Sequence, residues 1–173
     1  MSPRLAACVA ACLACLVAGC DASSKGASVD AGALIAATFA CDAPASAASK
    51  GSCVEVVDAG TRGDGGIWCN PVTNGACASG KACDVTSANG AVNGFDCYPG
   101  TGDTAKLCAI CDDTNGPFCA EGLSCAAASG DISGCARYCC TDADCGSGRC
   151  AKSASAGNAL FGVVPGLGLC AAK

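Results

Sequence analysis

The stretch CCTDADCGSGRC at residues 139–150 places four cysteines within twelve residues. Thiols at this density can bind a metal ion, perform redox chemistry, or cross-link a chain that has a small core. The chain contains no histidine, so catalytic arrangements of the Ser-His-Asp and Cys-His types are excluded. The rest of the sequence has to discriminate between these three uses of cysteine.

A close Cys-x-x-Cys pair occurs in CAIC, at Cys108 and Cys111. A zinc ribbon needs two such pairs, or one pair with two histidines, and a thioredoxin-type enzyme places the pair at the start of a helix after a strand. Cys108 and Cys111 instead lie between glycine-rich loops, which favours disulfide bonds to two different partners. A thiol-redox or metal-sequestering protein that uses these two cysteines is the alternative hypothesis.

Acidic residues lie close to the cysteines, at Asp112, Asp113, Asp142 and Asp144. They stand beside turn-forming residues, which is typical of solvated loops and turn caps rather than of catalytic carboxylate pairs or calcium loops. We therefore predict a protein that is not an enzyme and that has neither a metal nor another cofactor.

The composition explains why so many cysteines are needed. The 173 residues include 20 cysteines but one Trp, four Phe, two Tyr and one Met. Such a chain has little bulky apolar surface to bury, and disulfides can offset the conformational entropy that a small core leaves uncompensated. Sixteen cysteines follow Cys20, an even number that fits complete pairing in an oxidising compartment.

The N-terminus carries one basic residue, Arg4, followed by a run of apolar and small residues up to position 18. This run is too short to span a bilayer as a stable helix, and its layout is that of a secretory signal peptide over residues 1–19. The sequence therefore predicts export from the cytosol.

The end of this segment, LVAGC at residues 16–20, resembles the lipobox of bacterial lipoproteins. The resemblance implies recognition through Val17, Ala18 and Gly19, cleavage before Cys20, and acylation of the Cys20 thiol. The predicted partner is therefore a membrane of the cell envelope. The predicted location is the outer membrane or the cell surface. The formal net charge of −5 argues against a nucleic-acid partner. A protein partner is a further candidate, but no motif identifies it.

Downstream of Cys20 the chain divides by composition. We predict a flexible tether over 20–33, a small hairpin over 34–58 closed by a Cys41–Cys53 bridge, and a glycine-rich linker over 59–68. Three cysteine modules are expected to follow, over 69–110, 111–139 and 140–173.

The first two modules share the spacing Cys, seven residues, Cys, five residues, Cys, with a period of 42 residues. In each module a hairpin-like segment with turn residues leads to a fourth cysteine; the turn signals are Asn-Gly at 89–90 and 93–94, Ser-Gly at 129–130 and Pro-Gly at 165–166. The predicted fold class is a small disulfide-rich fold of β-hairpins and loops, with three concatenated cysteine-knuckle modules and little regular helix.

The third module resembles the cysteine knuckle that begins colipase, Dickkopf and prokineticin domains: Cys, a short acidic stretch, Cys-Gly-x-Gly, Cys, and a finger closed by another Cys. The architecture as a whole also resembles Cys-rich lipoproteins of unknown function from myxobacteria. The knuckle resemblance implies that the first cysteine pairs with the third and the second with the fourth. Carried along the three modules, the implied pairs are Cys140–Cys150, Cys145–Cys170, Cys69–Cys83, Cys77–Cys97, Cys111–Cys125 and Cys119–Cys135. Cys108 and Cys139 remain and are assigned to each other.

The most apolar stretch after Cys20 is LFGVVPGLGL, at residues 160–169. It either packs on a neighbouring module or, if exposed, forms a contact site for a protein partner. The residues of this candidate contact site are Leu160, Phe161, Val163, Val164, Leu167 and Leu169.

Overall fold

A computed structural model describes residues 30–56, 66–88, 91–99, 104–152 and 164–173. Cys20 and most of the predicted tether lie outside the described residues, as do Leu160, Phe161 and Val163 of the candidate contact site. Within the described ranges, no helix has both the length and the apolar character that a bilayer crossing requires.

Helix α1 (Ala31–Thr38) begins the described chain. The Asp30 side chain caps it by accepting a hydrogen bond from the Gly32 N–H at 2.9 Å, and the chain becomes extended at Phe39. Ile35 is fully buried against Gly134, where a Cβ atom would approach the Ile35 Cγ2 atom to 2.7 Å. Gly134 therefore allows the helix to approach the sheet closely.

Eight strands follow the helix in the described ranges. They are β1 (Lys81–Ala88), β2 (Ala91–Pro99), β3 (Thr104–Ala105), β4 (Phe118–Cys119), β5 (Leu123–Ser129), β6 (Ile132–Cys139), β7 (Arg149–Ala151) and β8 (Gly168–Ala171). A 3₁₀ helix, Asp142–Cys145, separates β6 from β7. These elements confirm the predicted class, a small disulfide-rich fold of β-hairpins with little helix.

The strands form three sheets. Strands β1 and β2 form an antiparallel hairpin, β3 and β4 form a short parallel pair, and a four-stranded antiparallel sheet has the order β5-β6-β8-β7. The pairing of Tyr138 with Leu169 joins the second and third hairpins into that one sheet. The third module is thus continuous with the second through main-chain hydrogen bonds.

Each hairpin places two cysteines opposite one another across its strands. The opposed pairs are Cys83 with Cys97, Cys125 with Cys135, and Cys150 with Cys170. The opposed cysteines are not bonded to each other. Each bridges to a cysteine in the segment before its hairpin, which for the second hairpin includes β4 and for the third unit is the end of β6 or the 3₁₀ helix. Two bridges therefore pin that preceding segment onto each hairpin.

Five of the eight predicted bridges form as expected. They are Cys69–Cys83, Cys77–Cys97, Cys111–Cys125, Cys119–Cys135 and Cys145–Cys170. Their sequence separations lie between 14 and 25 residues. Loops of this length contribute about 3 kcal/mol each in the chain-entropy model of disulfide stabilisation.

The prediction for the Cys139–Cys140 doublet was wrong. Cys139, rather than Cys140, bonds to Cys150, and the expected Cys140–Cys150 and Cys108–Cys139 bridges do not form. Side chains alternate along an extended chain, so neighbouring residues face opposite sides of a sheet. Cys139 packs with Cys145 and Cys170, whereas Cys140 lies in the main core. The third unit therefore begins at Cys139, one residue before the predicted boundary.

The predicted hairpin over 34–58 was also wrong. The first half of this segment includes most of α1, which begins within the predicted tether. Its two cysteines form Cys41–Cys108 and Cys53–Cys140 instead of Cys41–Cys53. A hairpin needs two extended strands, but Asp30 caps a helix in which Ile35 lies four residues before the apolar Phe39. These two bridges tie the N-terminal segment to the second and third hairpins.

Of the four turn signals, two are correct, one is not, and the Asn-Gly signal at 89–90 lies outside the described residues. Gly130 adopts φ 54° in the β5–β6 turn, and Gly166 adopts φ 93° in the turn closed by the Leu167 N–H and the Val164 carbonyl at 3.2 Å. Gly94, in contrast, lies inside β2, beside a bulge in the pairing with β1. A Cβ at Gly94 would collide with the Gly66 carbonyl oxygen, so this glycine serves close main-chain approach instead of a turn.

The main core gathers the few bulky residues from distant parts of the chain. Ile35, Phe95, Tyr138 and Leu167 are each almost completely buried in it. The rings of Phe95 and Tyr138 meet edge to face, with centroids 5.8 Å apart and an interplanar angle of 79°. One small core is therefore shared by α1, the first hairpin and the four-stranded sheet.

The assignment of the doublet can be tested with two single variants. Cys140→Ser should leave Cys53 as the reactive thiol, because Cys53 loses its partner, and should reduce the free energy of unfolding by about 2–5 kcal/mol. Alkylation without reduction, followed by peptide mapping, locates the label, and chemical denaturation measures the stability.

Cys139→Ser is the matched control. It should move the label to Cys150, the partner of Cys139. A label on Cys150 in Cys140→Ser would contradict the assignment.

Candidate functional site

The cysteine-rich stretches form three compact sulfur clusters. In each cluster three sulfur atoms lie within 4.8 Å of one another; the clusters are Cys69, Cys77 and Cys83; Cys111, Cys119 and Cys125; and Cys139, Cys145 and Cys170. All nine sulfurs are disulfide-bonded. A metal ion binds the thiolate form of cysteine, so these clusters act as cross-links while the bridges are intact.

The CAIC pair does not form a dithiol, because Cys108 bonds to Cys41 and Cys111 bonds to Cys125. Main-chain hydrogen bonds hold this segment on β6, from the Cys108 N–H to the Cys135 carbonyl at 2.8 Å and from the Cys111 N–H to the Ser133 carbonyl at 3.2 Å. The expectation of two different partners is confirmed. Cys41 is exposed, so the Cys41–Cys108 bridge is accessible to solvent.

The candidate contact site in the third module was wrong for the residues that the structure describes. Val164, Leu167 and Leu169 are between 1% and 3% exposed and pack in the main core. The packing interpretation is therefore correct for these three residues. In a chain with so few large apolar side chains, its most apolar stretch is needed in the core.

A cleft of about 280 Å³ opens where four parts of the chain meet. Its walls come from the loop after α1, the loop before β1, the β4–β5 turn and strand β6. The charged residues that line it are Lys50, Glu121 and Arg137, and its apolar wall includes Ala47 and Val72. None of these residues belongs to a motif predicted from the sequence.

Arg137 is the buried member of this group, with 6% of its surface exposed. Its Nε atom is buried and has no hydrogen-bond partner in the described part of the chain. Burial lowers the pKa of the Arg137 guanidinium, and the negative charge of Asp144 opposes this shift. The arginine within the run GCARYCC could have signalled the site, since cysteine is among the residues most often buried and arginine is rarely buried unless it is paired.

Asp144 lies close to the cleft and has a different role. It is fully buried, and its carboxylate accepts hydrogen bonds from the N–H groups of Ser49 at 2.7 Å, Cys140 at 2.8 Å and Thr141 at 3.0 Å. Burial acts to raise the pKa of Asp144, but these donors outweigh it and the net shift is downward. The turn-capping interpretation is confirmed, although the residue is buried rather than solvated.

Asn70 holds the opposite wall of the cleft. Its side-chain N–H group donates to the Gly51 carbonyl at 2.9 Å, and its side-chain oxygen accepts from the Val72 N–H at 3.0 Å and the Thr73 N–H at 3.3 Å. Asn70 is 8% exposed, so water competes little for these bonds. Asn70 and Asp144 together fix the loops that shape the cleft.

A second carboxyl, that of the half-buried Asp84, pairs with a tyrosine in the core. The Tyr138 hydroxyl donates to Asp84 Oδ1 at 2.6 Å, and the Val85 N–H donates to the same atom at 2.8 Å. Burial raises the pKa of Asp84, and these two donors offset part of the rise. Burial and then the charge of Asp84 raise the pKa of Tyr138 well above its ordinary value. The pair links the first hairpin to β6.

Removal of this hydroxyl should have a pH-dependent effect. Because the pKa of Asp84 is raised by folding, its ionisation lowers the stability as the pH rises through that pKa. Tyr138→Phe removes a donor to the ionised form, so it should cost about 1–3 kcal/mol at neutral pH and less at a pH below the pKa of Asp84. Urea denaturation at both pH values measures the difference.

Tyr98→Phe is the matched control, since Tyr98 is 42% exposed. It should leave the stability unchanged at both pH values. An equal loss in Tyr138→Phe at the two pH values would show that the hydroxyl does not act through the charge of Asp84.

The comparisons with known proteins give no relative for this arrangement. No protein-family model matches the chain, and no curated protein or solved structure matches it significantly. The function has to be inferred from the residues and geometry of this chain.

Proposed function

We propose that this chain is an envelope-anchored bacterial lipoprotein whose cysteine-rich part acts as a non-enzymatic structural or interaction module. The observation that carries the proposal is the complete pairing of the sixteen cysteines that follow Cys20 into eight disulfides. Disulfides at this density form and persist outside the reducing cytosol, and they stabilise domains that have small cores.

The cross-links suit a module that must stay folded in an exposed location. Two of them, Cys41–Cys108 and Cys53–Cys140, close loops of 67 and 87 residues. In the chain-entropy model each restricts the unfolded state by about 4.5 kcal/mol, although such contributions are not additive. The module is therefore expected to resist unfolding and the proteolysis that follows it.

The anchor is proposed from the sequence alone. The signal-like segment over 1–19 and the lipobox-like LVAGC support acylation of Cys20. Two or more acyl chains give stable attachment to a bilayer, because each buried methylene contributes about 0.8 kcal/mol. The tether would then hold the cross-linked module at a membrane surface.

Intact mass after alkylation tests the structural role of the cysteines. The mature protein should take up no label before reduction and sixteen labels after it, since every cysteine beyond Cys20 is bridged. Cys41→Ser provides a positive control, because it leaves Cys108 unpaired and should add one label before reduction. Two or more labels on the unreduced wild type would favour a thiol-based function instead.

The lipid anchor has a separate test. Cys20→Ser should prevent acylation and release the protein from the membrane fraction. The control Cys15→Ser, a change within the signal-like run, should leave acylation and membrane association unchanged. Mass spectrometry of the N-terminal peptide and membrane fractionation give the readouts. A Cys20→Ser protein that is still processed and retained in the membrane would contradict the anchor.

A further inference from the structure

The guanidinium of Arg137 lacks the partners that buried charges usually have. Its Nε atom has no hydrogen-bond partner among the described residues, and the residue is 6% exposed. A buried cation without a partner is costly, whereas buried charges in folded proteins are normally paired or hydrogen-bonded. The unpaired guanidinium therefore either lowers the stability of the fold without a function or binds a ligand.

Neither neighbouring carboxylate bonds to the Arg137 Nε atom. The charge of Asp144 attracts the guanidinium, but both oxygens of Asp144 accept main-chain hydrogen bonds from Ser49, Cys140 and Thr141. Glu121 lines the same cleft and is exposed, so water screens its charge. The guanidinium therefore keeps a positive charge and unused hydrogen-bonding capacity at the wall of the cleft.

The lining of the cleft has the opposite sign to the chain as a whole. It contains two cations, Lys50 and Arg137, against one carboxylate, Glu121, whereas the whole chain has a net charge of −5. Guanidinium groups bind carboxylate and phosphate through paired N–H donors, and a lysine ammonium adds a second positive charge. This combination favours an oxyanion over a cation or a neutral ligand.

The dimensions and walls of the cleft restrict the ligand further. Its volume of about 280 Å³ is just below the range of about 300–1,000 Å³ that is usual for drug-sized ligands. Ala47 and Val72 supply apolar surface, and Thr73 and Asn74 supply polar surface. The cleft therefore fits a small molecule with an anionic group and at most a short apolar part.

The site is built before a ligand arrives. Asn70 fixes the Val72 wall, and Asp144 fixes the main chain at Ser49, next to Lys50. A Cβ at Gly122 would lie 3.3 Å from Arg137 Nη1, so the glycine leaves room beside the guanidinium. Preorganised walls lower the entropy cost of binding.

We propose that this cleft is a binding site for a small oxyanion, a carboxylate or a phosphate, held by Arg137 with Lys50 at the rim. The site goes beyond the structural role of the disulfides. It does not depend on the lipid anchor, since all of its residues belong to the cross-linked domain.

The test titrates the isotopically labelled, oxidised protein with inorganic phosphate, and separately with acetate and succinate, at a constant ionic strength of about 0.15 M set with chloride. Saturable shifts are expected in the amide resonances of Lys50, Thr73, Asn74 and Gly122. Saturation by phosphate alone identifies a phosphate ligand, and saturation by the carboxylates alone identifies an organic acid. No saturable shift with any of the three probes would overturn the proposal.

Variants assign the binding to the cleft. Arg137→Met keeps an unbranched stem but removes the charged guanidinium. It should weaken binding by at least about tenfold, because a charge-assisted hydrogen bond is lost. Arg149→Met is the matched control, because Arg149 lies exposed on β7 and does not line the cleft, and it should bind as the wild type does.

Lys50→Gln provides a second measurement if Arg137→Met does not fold. Lys50 is exposed, so this change should leave the fold intact while it weakens binding and reduces the dependence of binding on salt. Affinity unchanged in both cleft variants, or shifts that map away from the cleft, would overturn the proposal.

Discussion

Cys139 and Cys140 are neighbours at the end of β6, and their side chains leave the extended chain on opposite faces. This alternation decides how the whole domain is cross-linked. Cys139 closes the third hairpin unit through Cys150, while Cys140 reaches across the core to Cys53. Had the two cysteines exchanged partners, the strand would have had to rotate and remove Tyr138 from the core.

The bridge at Cys140 also determines the position of the N-terminal segment. Together with Cys41–Cys108 it holds the chain that follows α1 against the hairpins, so that Ile35 packs on Gly134 and completes the core. Few large apolar side chains are available, and they come from distant parts of the chain. Long-range cross-links supply the constraint that a larger domain would obtain from buried area.

The polar groups of the interior follow two different rules. The side chains of Asn70 and Asp144 form hydrogen bonds to main-chain groups, and these bonds hold the loops beside the cleft in place. Arg137 lies beside Gly122 and lines the cleft. Its Nε atom has no hydrogen-bond partner among the described residues. Functional sites are one place where buried polar groups depart from full pairing, and Arg137 differs in this respect from Asn70 and Asp144 beside the same cleft.

The sequence by itself determined the class of fold and the hairpins of the three modules, and its resemblance to the cysteine knuckle implied the five bridges that join cysteines 14 to 25 residues apart. The hairpins depend on local features, such as the turn residues Gly130 and Gly166. Only the tertiary structure decided the partners of Cys41, Cys53 and the doublet, the burial of Val164, Leu167 and Leu169, and the cleft around Arg137. Those features join segments that are distant in sequence, such as Cys53 and Cys140 at a separation of 87 residues, and their geometry depends on which face of each strand meets the core.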